Sequence, residues 1–173
     1  MRRYAIDLDI SKCVSCGACA VACMDQNDIE IKKHQTPFRN VFDIERNRDG
    51  EIHFGHLSLA CMHCVDAPCI TACPSACLRK DPETNMTVFD TTNCIGCHSC
   101  AMACPYGVPS FGGDGKMVKC DGCYVRVQMG MKPACVKACP ADALKLIEID
   151  GETGIAPEHS LRELSHDMLK CQV

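Results

Sequence analysis

The chain contains no tryptophan, and aromatic residues make up only 5% of its 173 residues. Leu, Ile, Val and Phe together number 36, close to the level at which a sequence struggles to bury an apolar core of its own. No stretch approaches the ~20 consecutive apolar residues that cross a bilayer, so membrane contact would have to come through a partner. Positive charge is not in excess either: 18 Lys and Arg face 22 Asp and Glu, for a formal net charge of -4. Such a surface disfavours nucleic acid as a partner. Residues 1–9 hold a basic pair followed by acidic residues and no apolar stretch, so no secretory signal is visible. The expected compartment is the cytoplasm, with periplasmic export alongside a signal-bearing partner as the alternative. A nucleotide loop is also lacking. Residues 112–116 read GGDGK, but Met117 stands where the phosphate-loop pattern needs Ser or Thr, and a turn explains the glycines.

Cysteine is what the chain has in abundance, 18 in all. Sixteen fall into four quartets: Cys13, Cys16, Cys19 and Cys23; Cys61, Cys64, Cys69 and Cys73; Cys94, Cys97, Cys100 and Cys104; Cys120, Cys123, Cys135 and Cys139. The first and third read C-x2-C-x2-C-x3-C, and three of the four end in Cys-Pro. Three thiols at such intervals let one loop curl around a cubane and reach three of its irons, while the fourth ligates a neighbouring cluster. The quartets should therefore work in pairs and hold four 4Fe-4S clusters. Structural zinc uses two C-x2-C knuckles around one tetrahedral ion and has no use for the triple run. A disulfide scaffold belongs to short secreted chains, which the clustering and the N-terminus argue against. With so little apolar core, metal binding and folding should be one event.

Internal repetition gives the organisation. CVSCGACAVAC at 13–23 matches CIGCHSCAMAC at 94–104, and PCITACP at 68–74 matches ACVKACP at 134–140. The fold class expected is α+β, a duplicated ferredoxin-like fold. Between Cys73 and Cys94, residues 76–80 and 86–89 read as short strands around a turn at 81–85. That gap suits one compact two-cluster unit, so the outer quartets must pair with each other. They join a first strand, in which Tyr4, Ile6 and Leu8 alternate with Ala5, Asp7 and Asp9, to a late strand at 143–149. An inner lobe, residues 51–115, is thus inserted into an outer lobe, residues 1–50 and 116–156. Residues 38–44 and 52–59 read as extended and are expected over the lobe interface. In the tail, residues 157–173, Ser160 and Glu163 form a capping box ahead of Leu161, Leu164 and Met168 at helical spacing, which predicts a short amphipathic helix packed on its own lobe.

The order of the quartets, the run CPYGVP at 104–109, and KCDGCY at 119–124 ahead of KPAC at 132–135 closely resemble the iron-sulfur subunit of dimethyl sulfoxide reductase and its relatives, over residues 3 to 150. The resemblance implies ligand sets residue by residue. One cluster would take Cys13, Cys16, Cys19 and Cys139; a second Cys61, Cys64, Cys69 and Cys104; a third Cys73, Cys94, Cys97 and Cys100; a fourth Cys23, Cys120, Cys123 and Cys135. Relatives serving nitrate reductase carry Trp at the position of Cys97 and hold a 3Fe-4S cluster there; Cys97 implies a cubane. Met24 departs from the Pro that follows the other three quartets, which is expected to leave the following helix start less fixed. The family serves molybdenum or tungsten pterin oxidoreductases, of reductase, formate dehydrogenase or aldehyde oxidoreductase type. The implied function is non-catalytic electron transfer between such a catalytic subunit and a second redox partner: a flavoprotein, a quinone-linked membrane anchor, a ferredoxin or another copy of this chain. A diffusible polyferredoxin is the alternative.

The remaining candidates read as structure. Cys77 occupies the place that Ala143 fills in the matching segment, so it reads as a small buried residue. Cys171 reads as a free thiol. Both His63 and His98 lie inside cluster loops and read as modulators of potential, since every quartet already has four cysteines. Lys119 and Lys137 stand beside ligands, either raising nearby potentials or simply solvated.

Overall fold

The computed structural model describes residues 3–33 and 35–149. The expected tail helix and Cys171 lie outside these residues. Strand β1 (Arg3–Leu8) pairs antiparallel with the last described strand, β8 (Leu144–Ile149), with Leu8 opposite Leu144. Between them in sequence lie the hairpin of β2 (Asn40–Arg48) and β3 (Glu51–Leu59), the pair β4 (Leu78–Lys80) and β5 (Thr87–Phe89), and the two-residue strands β6 (Ser110–Phe111) and β7 (Met117–Val118). Five α-helices accompany them among the described residues: α1 (Ala18–Gln26), α2 (Pro68–Thr71), α3 (Ser99–Ala103), α4 (Tyr124–Gln128) and α5 (Ala134–Lys137). Helices of four or five residues are far below the length that is stable alone, so tertiary packing must hold them.

Two cores result. An outer one gathers Leu8, Val136, Ala143 and Leu144 with Cys19 and Cys135, and an inner one gathers Ala67, Leu78 and Met117 with Cys69 and Cys100. Helices α1 and α5 pack together on the outer core, and α2 and α3 on the inner one.

The same local devices occur in both. Asp9 accepts from the backbone N–H and hydroxyl of Ser11 at 3.1 and 2.6 Å, and Asp90 does the same for Thr92 at 2.9 and 2.6 Å. The Asp9 N–H donates to the Ala143 carbonyl and the Asp90 N–H to the Cys77 carbonyl, each at 2.8 Å. Left-handed backbone recurs at Ser15 and Gly96, at Gly17 and His98, and at Ala76 and Asp142. Cys77 and Ala143 are both buried, one residue before β4 and β8.

In β1 the buried residues are Arg3, Ala5 and Leu8, with Ile6 half-buried against the outer core, and the Tyr4 N–H donates to the Thr84 carbonyl at 3.2 Å. Two expectations are corrected. The β2–β3 hairpin closes on Asp49 and Gly50, both with positive φ, as a two-residue loop of the twisted kind requires. Its Val41 and Leu57 pack on the outer core, so the hairpin covers that core rather than the interface between the two. Residue 50 therefore lies in a hairpin turn. Met24 lies inside α1 instead of ahead of a new helix.

Candidate functional site

The thiols are gathered by short loops whose backbone turns through the left-handed region. Three cavities are each lined by a set of four cysteines drawn from two different quartets, and Cys77 lines the third as well. Cys13, Cys16, Cys19 and Cys139 surround the first, of about 340 Å³. Cys23, Cys120, Cys123 and Cys135 surround the second, of about 300 Å³, and Cys73, Cys94, Cys97 and Cys100 the third, of about 290 Å³. Cys61, Cys64, Cys69 and Cys104 are electrostatic neighbours. Burial pushes the Cys69 thiol up against the opposing pull of Lys119, with Cys104 and Cys64 adding to the rise. Cys61 is likewise raised by burial, with Cys69 and Cys64 contributing.

The first two cavities share α1 and α5. Cys19 and Cys23 sit in α1, Cys135 in α5, and Cys139 just beyond it. The third cavity and the fourth set share α2 and α3 in the same manner. The second cavity meets the fourth set across the boundary between the groups at Cys120 and Cys61: burial lifts the Cys120 thiol first, and the charge of Cys61 adds to the rise.

The donor set fits anionic cubanes. Backbone N–H groups point at the sulfurs: Cys77 to Cys73, Ala143 to Cys139 and Gly122 to Cys120, each at 3.3 Å, and Met117 to Cys94 at 3.4 Å. Arg39 is 4% exposed, lines the second cavity and keeps a buried Nε without a partner, a group that an anion in that cavity would satisfy. Among the described residues no three His, Cys, Asp or Glu side chains converge on a point sized for one metal ion; the thiols surround cavities instead. Bare, the thiols of the second cavity resist ionisation. Burial, followed by the charges of Cys120 and Cys135, pushes Cys23 up to about 12, and burial lifts Cys123 to about 11. Metal must therefore displace protons as it binds.

Gly122 is required twice over. Its φ is +75°, and a Cβ there would come within 2.2 Å of Met86 Sδ and 3.1 Å of His63 Nε2. Cys77 lies nearer the chemistry than a purely packed residue. Its thiol lines the third cavity and is pushed up to about 11, first by burial and then by Cys73 and Cys94. His98 caps α3 in the left-handed region and stacks on Phe111 with ring centroids 3.7 Å apart. His63 is buried, and burial, then Lys119, Lys80 and Arg39, hold its imidazole well below the usual range. Lys119 is 1% exposed, which rules out the solvated reading, whereas Lys137 is exposed. Residues 112–116 form the turn between β6 and β7, closed by the Gly112 N–H on the Lys116 carbonyl at 2.9 Å. Sequence reasoning missed Arg39, Ser58, which meets Cys19 Sγ at 3.3 Å, and Asn27, which donates to Cys23 Sγ at 3.6 Å. None belongs to a motif.

A protein with thiols so arranged is an iron-sulfur electron carrier, and the comparisons agree. The family model described as a 4Fe-4S dicluster domain matches residues 52–149. The chain is 39% identical over 157 residues to a chain of the anaerobic dimethyl sulfoxide reductase of Escherichia coli (strain K12), covering 86% of this chain and 75% of that protein. It is 35% identical over 151 residues to the iron-sulfur subunit of the nitrate-inducible formate dehydrogenase of the same organism, covering 79% and 51%. Against a subunit of the sulfite dehydrogenase of Allochromatium vinosum the identity is 32% over 178 residues, covering 90% and 74%. The chain belongs to the 4Fe-4S dicluster family, among the iron-sulfur subunits that hold four 4Fe-4S clusters and pass electrons for an oxidoreductase without catalysing its reaction.

Proposed function

We propose that this chain carries single electrons between a molybdenum- or tungsten-pterin catalytic subunit and a second redox partner, along a row of four clusters in two interlocked ferredoxin-like lobes. The ligand sets are Cys13, Cys16, Cys19 and Cys139; Cys23, Cys120, Cys123 and Cys135; Cys61, Cys64, Cys69 and Cys104; and Cys73, Cys94, Cys97 and Cys100, met in that order along the row. Bound clusters supply reversible one-electron exchange. The protein's residues hold the thiolates, direct N–H groups at the sulfurs and keep water from the centre. The observation that carries this reading is the grouping of thiols from paired quartets around common cavities.

The recurring Asp caps and left-handed positions support duplication. Because β3 packs with the outer core, the inner lobe is taken to begin near residue 60, with the hairpin attached to the outer lobe. At the two ends of the row, exposed thiols are flanked by exposed apolar side chains. Cys16 lies beside Val14 at 62% exposure, and Cys97 beside Ile95 at 69%. These are the surfaces on which the catalytic subunit and the second partner dock, the latter a flavoprotein, a quinone-linked membrane anchor, a ferredoxin or another copy. No helix among the described residues is long and apolar enough to cross a membrane, so a membrane link would pass through that partner. The compartment proposed is the cytoplasm, which keeps thiols reduced for loading.

Anaerobic co-purification tests the assignment. The expected preparation holds about 16 iron and 16 sulfide per chain together with a pterin-metal subunit, and Cys97→Ser removes or alters one paramagnetic signal while the others persist. A chain that purifies alone and active as a shuttle would overturn the subunit role. Signals lost in pairs other than those above would overturn the ligand sets.

A further inference from the structure

Two buried side chains at the junction of the groups cross over. Lys119 precedes Cys120 in sequence, yet its Nζ stands 3.7 Å from Cys61 Sγ on the other side. His63 follows Cys61 by two residues, yet its Nε2 stands 3.8 Å from Cys120 Sγ. Both are anchored on one residue of β5. The Thr87 N–H donates to His63 Nδ1 at 2.9 Å, and the Thr87 carbonyl accepts from Lys119 Nζ at 2.5 Å. The Cys120 carbonyl accepts another Lys119 proton at 2.6 Å.

This bonding fixes what each group offers. Nδ1 of His63 accepts a backbone N–H and so carries no proton, which leaves the neutral ring's proton on Nε2, facing the Cys120 sulfur. Lys119 spends its three donors on two neutral carbonyls and one sulfur. A buried ammonium is costly unless its charge is balanced, and among these partners only Cys61, with whatever it holds, can be negative.

We propose that Lys119 and His63 are a crossed pair of positioning residues that raise the reduction potentials of the two central clusters, each acting on the cluster held from the other side of the junction. The inference rests on the proposed assignment of Cys61 and Cys120 to neighbouring clusters. Reduction adds one electron, delivered from the next cluster in the row, with no proton moved, and makes the thiolate sulfurs more negative. A cation or N–H donor at the sulfur stabilises that form, a lever recognised for such clusters. Anchoring both groups on Thr87 ties the two central potentials to one strand. The clusters at the ends lie outside its reach.

The test is potentiometric titration of the loaded full chain followed by electron paramagnetic resonance, with Cys61→Ser and Cys120→Ser assigning the central signals. Lys119→Gln should lower the potential of the Cys61 cluster so that its reduced-to-oxidised ratio at fixed ambient potential falls at least tenfold, about 59 mV for one electron. The end clusters should not move. His63→Asn, whose new residue suits the left-handed backbone at φ 47°, should lower the Cys120 cluster about threefold by the same measure. Unmoved central potentials at full iron content, or end clusters that shift as much as the central ones, overturn the proposal. Should Lys119→Gln fail to load, His63→Asn decides alone, since it removes no charge. Failure of the ligand assignment looks different: Cys61→Ser and Cys120→Ser would then abolish the same signal.

Discussion

Helices α1 and α3 start alike and end differently. Each takes in the third cysteine of a C-x2-C-x2-C run and starts from a left-handed residue, Gly17 at φ 74° or His98 at φ 62°. Helix α3 stops after five residues because Pro105 disfavours helical backbone at the residue before it, and Cys104 is accordingly extended at ψ 116°. Met24 imposes no such limit on Cys23, so α1 runs nine residues to Gln26, and Asn27 folds back to donate to the Cys23 carbonyl at 2.7 Å. Cys23 ends 7% exposed inside a helix, while Cys104 is half-buried. One residue after the last cysteine thus decides how much helix shields the fourth thiol.

The largest expected effect removes what both groups share. Cys19 and Cys135 are part of the outer core, and Cys69 and Cys100 of the inner one, so stripping iron anaerobically with a chelator should unfold both together. Far-ultraviolet circular dichroism that keeps a cooperative melt in the iron-free chain would contradict this. Next, Met24→Pro should impose the α3 ending on α1. A proline within a helix costs about 3 kcal/mol or more, and the loss should appear as a damaged Cys23-side signal with the inner signals intact; equal damage to both groups would break the comparison.

A smaller effect is expected at Gly96, whose counterpart is Ser15. Both lie at positive φ, but a Cβ on Gly96 would meet the Gly115 carbonyl oxygen at 2.7 Å. Gly96→Ser should therefore cost about 1–3 kcal/mol through overpacking, measured as earlier thermal loss of visible cluster absorbance, whereas Ser15→Gly should leave the midpoint nearly unchanged. The smallest effect belongs to Cys77→Ala, which installs the residue found at Ala143. All four clusters should persist by iron assay and paramagnetic resonance, and loss of one would make Cys77 a ligand.

Much of this fold is legible in the sequence because its cysteine runs recur. The cysteine spacing marks the loops, and the short gap after Cys73 marks β4 and β5 to within two residues. The equivalence of Cys77 and Ala143 follows from two aligned Cys-Pro runs. What cannot be read depends on distant parts of the chain. The Lys119–Cys61 contact joins residues 58 apart, and nothing in KCDGC distinguishes a buried lysine from a solvated one. Arg39 lies in a charged stretch whose composition suggests surface, yet it lines the second cavity. Period-2 alternation marks β1 as a strand but not the bond from its Tyr4 N–H to the Thr84 carbonyl. At Met24 the pattern shows a missing proline but not the helix that its absence permits.

The pairing of β1 with β8 also orders events in time. Leu8 waits for Leu144, and at about 5–20 residues per second the ribosome needs roughly 7 to 27 s to supply it. Throughout that interval β4, β5 and the two quartets beside them are already available to one another. The first quartet is not, because Cys139, which shares its cavity, emerges among the last. The nascent chain therefore presents its earliest thiols longest, half-assembled, to oxygen and to the machinery that delivers iron.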